Sequence, residues 1–280
     1  MRKRVQRSHR LWSVIMTIVC VIYMYPIFMV LMNSLKVESA ISTSTAFELP
    51  NAETFAGLAN YENAVNTQGF FISLLWTVLI TVTSVLAILI FCSMFAWYIT
   101  RVVNKITKAL YLLCAFSMVV PFQMVMFTLS STAHDLHLNT PWTLWIIYLG
   151  FGAGLAVFMF CGFMRSVPLE IEEASMIDGC SPLQTYFKVV FPLLKPTMVS
   201  VGILEAMWIW NDYLLPTLIL DIDKYKTISM LIQYFRGSYG RVEMGPMMAC
   251  IMLAIFPIVI VYLAGQKHII KGVVSGAVKG

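Results

Sequence analysis

The chain has 280 residues, of which 59% are hydrophobic and 12% are charged, and its formal net charge is +5. Charged residues make up about a quarter of an average soluble domain, so this composition excludes an ordinary soluble protein. The excess of Lys and Arg does not indicate a nucleic acid partner, because these residues gather in alternate connections between apolar segments. We predict an all-α membrane protein, since a segment in lipid must satisfy its own backbone hydrogen bonds.

Six apolar segments reach the roughly 20 residues that a helix needs to cross a bilayer. They lie at about 11–33, 72–100, 110–132, 142–164, 197–220 and 246–265. The first follows a basic cluster, but its apolar part is longer than that of a secretory signal peptide, so we predict an uncleaved helix. The positive-inside rule places the N-terminus in the cytoplasm, and six spans place the C-terminus there too.

The chain is predicted to divide near residue 70. Residues 1–70 hold an N-terminal arm, the first span and a polar outer loop that we expect to pack as a small cap. Residues 71–280 form the membrane core, with its inner connection at about 165–196 and a cytoplasmic tail. Pro121 interrupts the third span, which predicts either a kink or an unwound point beside a translocation path.

The inner connection at about 165–196 is too polar to cross the membrane. Ser166 and Pro168 are typical of a helix start, and Gly179 is typical of a left-handed residue that ends a helix. Ser181 and Pro182 begin a second short helix. The sequence therefore predicts a cytoplasmic helix–turn–helix between the fourth and fifth spans, with acidic and apolar groups available to a partner.

Three stretches of this connection resemble the signature loop of the permeases of binding-protein-dependent ABC importers: Glu173-Ala174-Ser175, Asp178-Gly179-Cys180-Ser181 and Phe191-Pro192. The family pattern reads Glu-Ala-Ala, a spacer, Asp-Gly-Ala, and an apolar residue before Pro. Ser175 and Cys180 depart from it, each as one small residue for another. The resemblance implies that the loop docks in a cleft of an ATPase subunit and couples it to the membrane helices. The implied coupling residues are Glu173, Ala174, Ser175, Asp178, Gly179, Cys180, Ser181 and Pro192.

The fifth span and the C-terminal segment narrow the family that the chain resembles. The stretch from Trp208 to Pro216 resembles a motif of carbohydrate permeases, and the C-terminal segment with Gly276, Lys279 and Gly280 resembles the tail of maltose-permease-like subunits. Polar side chains at this depth of the membrane usually face protein or water, which suits a sugar path or a structural brace. The aromatic side chains also suit a belt at the membrane interface. The candidate pathway residues are Glu205, Trp208, Trp210, Asn211, Asp212 and Tyr213.

The resemblance implies a complex in a bacterial cell membrane. Its other members would be a second permease subunit, two ATPase subunits that bind ATP and Mg, and an extracytoplasmic solute-binding protein. This chain contains no Gly-x-x-x-x-Gly-Lys-Ser/Thr phosphate loop, so we predict a non-enzymatic subunit that binds no cofactor. His134 and His137 have no further ligand nearby in the sequence, so no metal site is predicted.

Other functions remain open. A permease for a non-sugar solute, such as glycerol phosphate or an amino acid, would share the coupling loop. An ion-gradient-driven transporter would leave that loop unexplained and would favour a repeated half, which this sequence lacks. A membrane enzyme would need a convergent nucleophile or metal set, and none is evident.

Overall fold

The computed structural model describes residues 2–66, 69–235 and 243–277, and these residues are mainly helical. In chain order the helices are α1 (Arg2–Ser34), α2 (Glu38–Thr43), α3 (Ala59–Asn66), α4 (Phe70–Arg101), α5 (Lys105–Ser117), α6 (Phe122–Asp135), α7 (Leu144–Met164), α8 (Leu169–Ile177), α9 (Pro182–Leu193), α10 (Lys195–Asn211), α11 (Leu214–Ile219), α12 (Ile228–Phe235) and α13 (Met244–Ala277). Two of them contain a π-helical turn, at Ile88–Cys92 in α4 and at Tyr186–Val190 in α9.

Four stretches of the described chain are continuous helices long and apolar enough to cross a membrane: Trp12–Ser34, Phe70–Arg101, Leu144–Met164 and Met244–Gln266. Two further candidates are bent helix pairs, α5 with α6 and α9 with α10. Counting each bent pair as one span gives six. The multi-pass architecture is therefore present, and the predicted count of six depends on how these two pairs cross the membrane.

The third predicted span is broken at the proline. Helix α5 ends at Ser117, Pro121 is extended with φ −64° and ψ 134°, and α6 starts at Phe122 with an axis bent by 105°. A proline has no N–H to donate and disfavours a helical residue before it. The predicted interruption is confirmed, and it is a sharp change of direction between two helices.

The segment predicted as the fifth span, 197–220, is also discontinuous. Helix α10 ends at Asn211 and α11 begins at Leu214, with Asp212 in an extended conformation. The Asp212 carboxylate accepts hydrogen bonds from the backbone N–H groups of Leu214 and Leu215, at 3.0 and 3.4 Å. An Asp side chain that bonds to the following backbone competes with helix continuation, which explains the break.

The described chain forms two compact units. One contains residues 1–71 and 231–256, and the other contains 72–230 and 257–280. The second unit holds the main core, where α4, α7, α9 and α10 bury side chains such as Ile88, Phe160, Tyr186 and Val201. The predicted domain boundary near residue 70 stays a prediction.

The segment predicted as the outer loop is ordered by polar contacts within the first unit. The Asn60 amide donates to the carbonyls of Ser34 and Lys36, at 2.9 and 2.7 Å. The Glu38 carboxylate accepts from the backbone N–H groups of Met244 and Gly245, at 3.0 and 2.8 Å. Glu38 thus satisfies two free donors at the N-terminus of α13, where a negative charge is also favoured by the helix dipole.

Candidate functional site

The predicted helix–turn–helix is present as α8 and α9. Pro168 is the extended residue before α8, and Gly179 follows the helix with φ 85°. Cys180 N–H donates to the Ser175 carbonyl and Gly179 N–H donates to the Met176 carbonyl, both at 3.0 Å. These two bonds form a Schellman motif, whose left-handed position favours glycine. The left-handed conformation predicted for Gly179 is therefore confirmed.

The second helix starts with a capping box. The Ser181 hydroxyl accepts from Gln184 N–H, and the Gln184 side chain accepts from Ser181 N–H at 2.9 Å. Pro182 occupies the first turn, where its missing N–H costs no intrahelical bond. The turn between α8 and α9 is therefore fixed at both of its ends by local sequence.

The inner face of α8 is held by a buried ion pair. Glu172 is 1% exposed, and its carboxylate accepts from the Arg101 guanidinium at 2.6 and 2.9 Å and from the Trp97 indole N–H at 2.8 Å. Arg101 also donates to the Val167 carbonyl at 3.0 Å. Trp97 and Arg101 belong to the last turns of α4, so this cluster fixes α8 to a long apolar helix.

Two hydroxyl contacts complete the inner face. Ser175 Oγ lies 2.8 Å from Thr185 Oγ1, which joins α8 to α9. The fully buried Tyr186 places its hydroxyl 2.6 Å from Ser93 Oγ of α4, and its ring packs against Trp97 with centroids 5.4 Å apart. The hairpin is therefore anchored on α4 through Glu172 and Tyr186.

The outer face of the hairpin carries most of the predicted coupling residues. Glu173, Ala174, Asp178, Gly179, Ser181 and Pro192 are exposed, and Cys180 is half-buried. Ile177 is 85% exposed and Leu183 is 59% exposed beside them. Ser175 differs, because it is buried and bonds to Thr185. We call the outward set Glu173, Ala174, Ile177, Asp178 and Leu183 the hairpin surface.

Sequence reasoning missed the anchor. Glu172 adjoins the recognised motif, but Arg101 is 71 residues away, so no local spacing connects the two side chains. The available signal was a basic residue at the inner end of one apolar segment and an acidic residue at the start of the inner connection. That pattern is common to many membrane proteins, so it does not identify which basic residue pairs with which acidic residue.

The predicted pathway residues fall into two groups on α10. Glu205, Trp208 and Asp212 share one face, as expected from their spacing, and that face packs against α7 of this chain. The Trp208 and Tyr148 rings meet edge to face at 5.5 Å, and the Tyr148 hydroxyl donates to Asp212 at 3.0 Å. Asp212 is therefore a brace that joins α7 to the break before α11.

Glu205 lies deeper on the same face. It is 2% exposed, and its Oε1 accepts no hydrogen bond from the described residues. A Cβ added at Gly152 would lie 3.0 Å from Glu205 Oε2 and 2.6 Å from Ile88 Cδ1. Gly152 thus creates the space in α7 that admits this carboxyl group.

The other three predicted pathway residues, Trp210, Asn211 and Tyr213, lie outside this shared face. Trp210 is 8% exposed, whereas Asn211 is exposed and donates within its own helix to the Met207 carbonyl at 2.7 Å. Trp208 and Tyr213 are 41% and 38% exposed. In the predicted tail, Gly276 lies in α13, and Lys279 and Gly280 are outside the described residues.

Comparison with known proteins identifies the family of this chain. The family described as "Binding-protein-dependent transport system inner membrane component" matches residues 93–275. The chain is 35% identical to the probable starch degradation products transport system permease protein AmyC of Thermoanaerobacterium thermosulfurigenes, over 94% of both chains. It is 35% identical to the multiple sugar-binding transport system permease protein MsmG of Streptococcus mutans, over 99% of this chain and 100% of that one. It is 32% identical to the melibiose/raffinose/stachyose import permease protein MelC of Bacillus subtilis, over the whole of both chains.

The fold has a solved counterpart. A chain in the crystal structure of a bacterial ABC transporter involved in the import of the acidic polysaccharide alginate superposes with a TM-score of 0.77, at 23% identity, over 94% of this chain and 96% of that one. The family match covers more than half of the sequence and includes the α8–α9 hairpin, the anchor residue Arg101 and the α10–α11 break. This chain belongs to the family of inner membrane components of binding-protein-dependent transport systems.

Proposed function

We propose that this chain is a permease subunit of an ATP-driven importer for a carbohydrate, most simply an oligosaccharide. Relatives at 32–35% identity that cover almost the whole chain are named for starch products, multiple sugars and raffinose-type sugars. The chain would form the translocation path with a second permease subunit. Two ATPase subunits would bind ATP and Mg, and an extracytoplasmic protein would deliver the sugar.

The observation that carries the proposal is the division of the α8–α9 hairpin into two faces. The buried face is fixed to α4 by Glu172 and Tyr186, while the other face presents acidic and apolar side chains. A partner cleft that is apolar and basic would complement such a surface. We assign the hairpin surface to ATPase docking.

The anchor gives a route for coupling. When the ATPase moves the hairpin, a rigid connection to α4 would carry the displacement into the membrane core, whereas a loose loop would absorb it. The Arg101–Glu172 pair combines charge with several hydrogen bonds and is largely screened from water. Arg101, Trp97 and Glu172 are therefore positioning residues for coupling.

The break at Asp212 is the proposed contribution of this chain to the sugar path. Discontinuous membrane helices expose backbone groups, and such breaks are tolerated where they face protein or a water-filled cavity. The exposed Trp208, Asn211 and Tyr213 would face the path, since aromatic rings and amides suit sugar faces and hydroxyl groups. Glu205, Trp210 and Asp212 would hold that segment in place.

Charge reversal on the hairpin surface tests the proposal. In proteoliposomes with the full complex and its binding protein, Glu173→Lys should reduce sugar uptake and transport-stimulated ATP hydrolysis together, while assembly is retained. Glu53→Lys makes the same charge change at an exposed site of the outer loop and should leave both rates unchanged. Wild-type rates for Glu173→Lys would remove the coupling assignment.

Substrate class needs its own measurement. The same proteoliposomes should take up oligosaccharides and should not take up glycerol phosphate or amino acids. If a non-sugar is taken up and sugars do not compete with it, the importer assignment stands and the carbohydrate assignment is overturned.

A further inference from the structure

A cavity of about 530 Å³ lies within the second unit. Its walls come from the end of α4, the first turns of α5 and the end of α7. The lining includes the apolar side chains of Ile99, Val103 and Leu112, together with Tyr111, Lys108 and Arg165. None of these residues belongs to the hairpin surface or to the α10 segment.

The polar part of this cavity is basic. Lys108 and Arg165 form no ion pair among the described residues, and the Arg165 guanidinium lies over the Tyr111 ring at 5.9 Å from its centroid. The two lining segments, 99–112 and 161–165, contain Arg101, Lys105, Lys108 and Arg165 and no acidic residue. Arg101 is already paired with Glu172 and Lys105 is not among the lining residues, so Lys108 and Arg165 are the charges available to a ligand.

The apolar part opens toward side chains that suit lipid. Val103 is 71% exposed, Ile106 is 70% exposed and Leu112 is 65% exposed. A ligand that fills the cavity must therefore place a negative group between Lys108 and Arg165 and an apolar group along Val103 and Leu112. A free phosphate supplies only the first of these, and a neutral sugar supplies neither.

We propose that this cavity binds the headgroup of an anionic phospholipid, with an acyl chain along Val103 and Leu112. Basic pockets between membrane helices near the cytoplasmic surface are suited to such headgroups. The cavity lies at the ends of α4 and α7, and the end of α4 also contacts the hairpin through Arg101 and Glu172. The charge distribution places this end of the helices in the inner leaflet. The bound lipid would contact α4, which carries the hairpin anchor.

Native mass spectrometry of the assembled complex tests the proposal, with phosphatidylglycerol and phosphatidylcholine titrated separately. The wild-type complex should retain phosphatidylglycerol in preference to phosphatidylcholine. Lys108→Gln with Arg165→Gln should weaken phosphatidylglycerol binding about tenfold or more, because each basic group near an anionic surface contributes substantially to affinity. Lys105→Gln with Lys195→Gln removes the same charge from exposed sites outside the lining and should change affinity less than about twofold.

A second variant tests the cavity without changing charge. Leu112→Trp should fill the apolar part and lower lipid retention while both basic groups remain. Equal retention of the two lipids, or equal losses in both charge-neutralised pairs, would overturn the proposal. So would displacement by soluble glycerol 3-phosphate as effective as phosphatidylglycerol itself, which would indicate a site for free phosphates. The proposal would also be overturned if no lipid were bound and Leu112→Cys cross-linked to the second permease subunit, because protein would then cover the cavity.

Discussion

Glu172 and Glu173 are neighbours in the sequence with opposite environments. Glu172 is 1% exposed and bonds to Arg101 and Trp97, whereas Glu173 is exposed on the hairpin surface. Successive residues of a helix point about 100° apart, so two adjacent glutamates can serve two different faces. One holds α8 in place, and the other is the residue that we propose for contact with a partner.

These two residues should separate stability from coupling. Glu172→Gln should destabilise the hairpin by about 2 kcal/mol, because a charged hydrogen-bond partner of Arg101 is lost. The expected readouts are a lower melting temperature of the complex and reduced uptake. Glu173→Gln should leave the melting temperature unchanged while lowering stimulated ATP hydrolysis. Equal melting temperatures for the two variants would contradict the assigned roles.

Gly179 is constrained by its backbone and not by its neighbours. Its φ is 85°, and an added Cβ would meet nothing within 4 Å. The penalty of a side chain is therefore conformational, about 1–2 kcal/mol for most residues and less for Asn. A replacement should redirect α9 and leave the membrane core folded.

Two substitutions at this position distinguish these causes. Gly179→Ala should reduce sugar uptake about tenfold, since 1.4 kcal/mol corresponds to a factor of ten. Gly179→Asn should retain more uptake despite the larger polar side chain, because Asn adopts the left-handed region more readily. If uptake decreased as side-chain volume increased and did not follow the backbone preference, this would show that a partner packs directly on Gly179.

At the scale of elements, the break between α10 and α11 depends on one side chain. Asp212 accepts from Tyr148 on one oxygen and from Leu214 and Leu215 on the other. These bonds satisfy backbone donors that would otherwise begin α11 without partners. The brace therefore fixes both the position of α10 on α7 and the direction of α11.

Substitutions that remove all or part of this brace should lower the stability of the complex by different amounts. Asp212→Ala should lower the melting temperature of the complex and reduce uptake, because two backbone donors and Tyr148 lose their acceptor. Tyr148→Phe removes one of these bonds and should cost about 1 kcal/mol, less than the Ala variant. Asn211→Ala is the control for position, since among the described residues the Asn211 side chain bonds within its own helix. A melting temperature as low for Asn211→Ala as for Asp212→Ala would contradict the brace.

Sequence reasoning predicted the elements that local signals encode. Apolar runs indicated the membrane helices, and Pro168, Gly179 and Ser181 indicated the limits of the hairpin. The break at Asp212 was not predicted, because hydropathy continues through it and the cause is a side-chain bond to nearby backbone. The inward orientation of Ser175 was not predicted either, since it depends on contact with Thr185 of the following helix.

At the scale of the whole molecule, the orientation in the membrane remains a prediction from the distribution of Lys and Arg. In a background without other cysteines, Asn51→Cys should react with an impermeant thiol reagent added outside intact cells. Ser181→Cys should react only after the membrane is permeabilised. Both residues are exposed, so a missing reaction would not result from burial within this chain. Labelling of Ser181→Cys from outside would invert the topology.

The first compact unit is discontinuous in the sequence. Its segments are 1–71 and 231–256, and Glu38 bonds to backbone groups 206 and 207 residues later, at Met244 and Gly245. During synthesis, Glu38 leaves the ribosome long before its partners exist. The predicted outer cap therefore stays incomplete until the start of α13 has been made, while residues 72–230, which form most of the second unit, can already pack. A chain that stalls before residue 244 should expose its predicted outer loop to extracytoplasmic proteases, so the Glu38 contact also marks a late step of biogenesis.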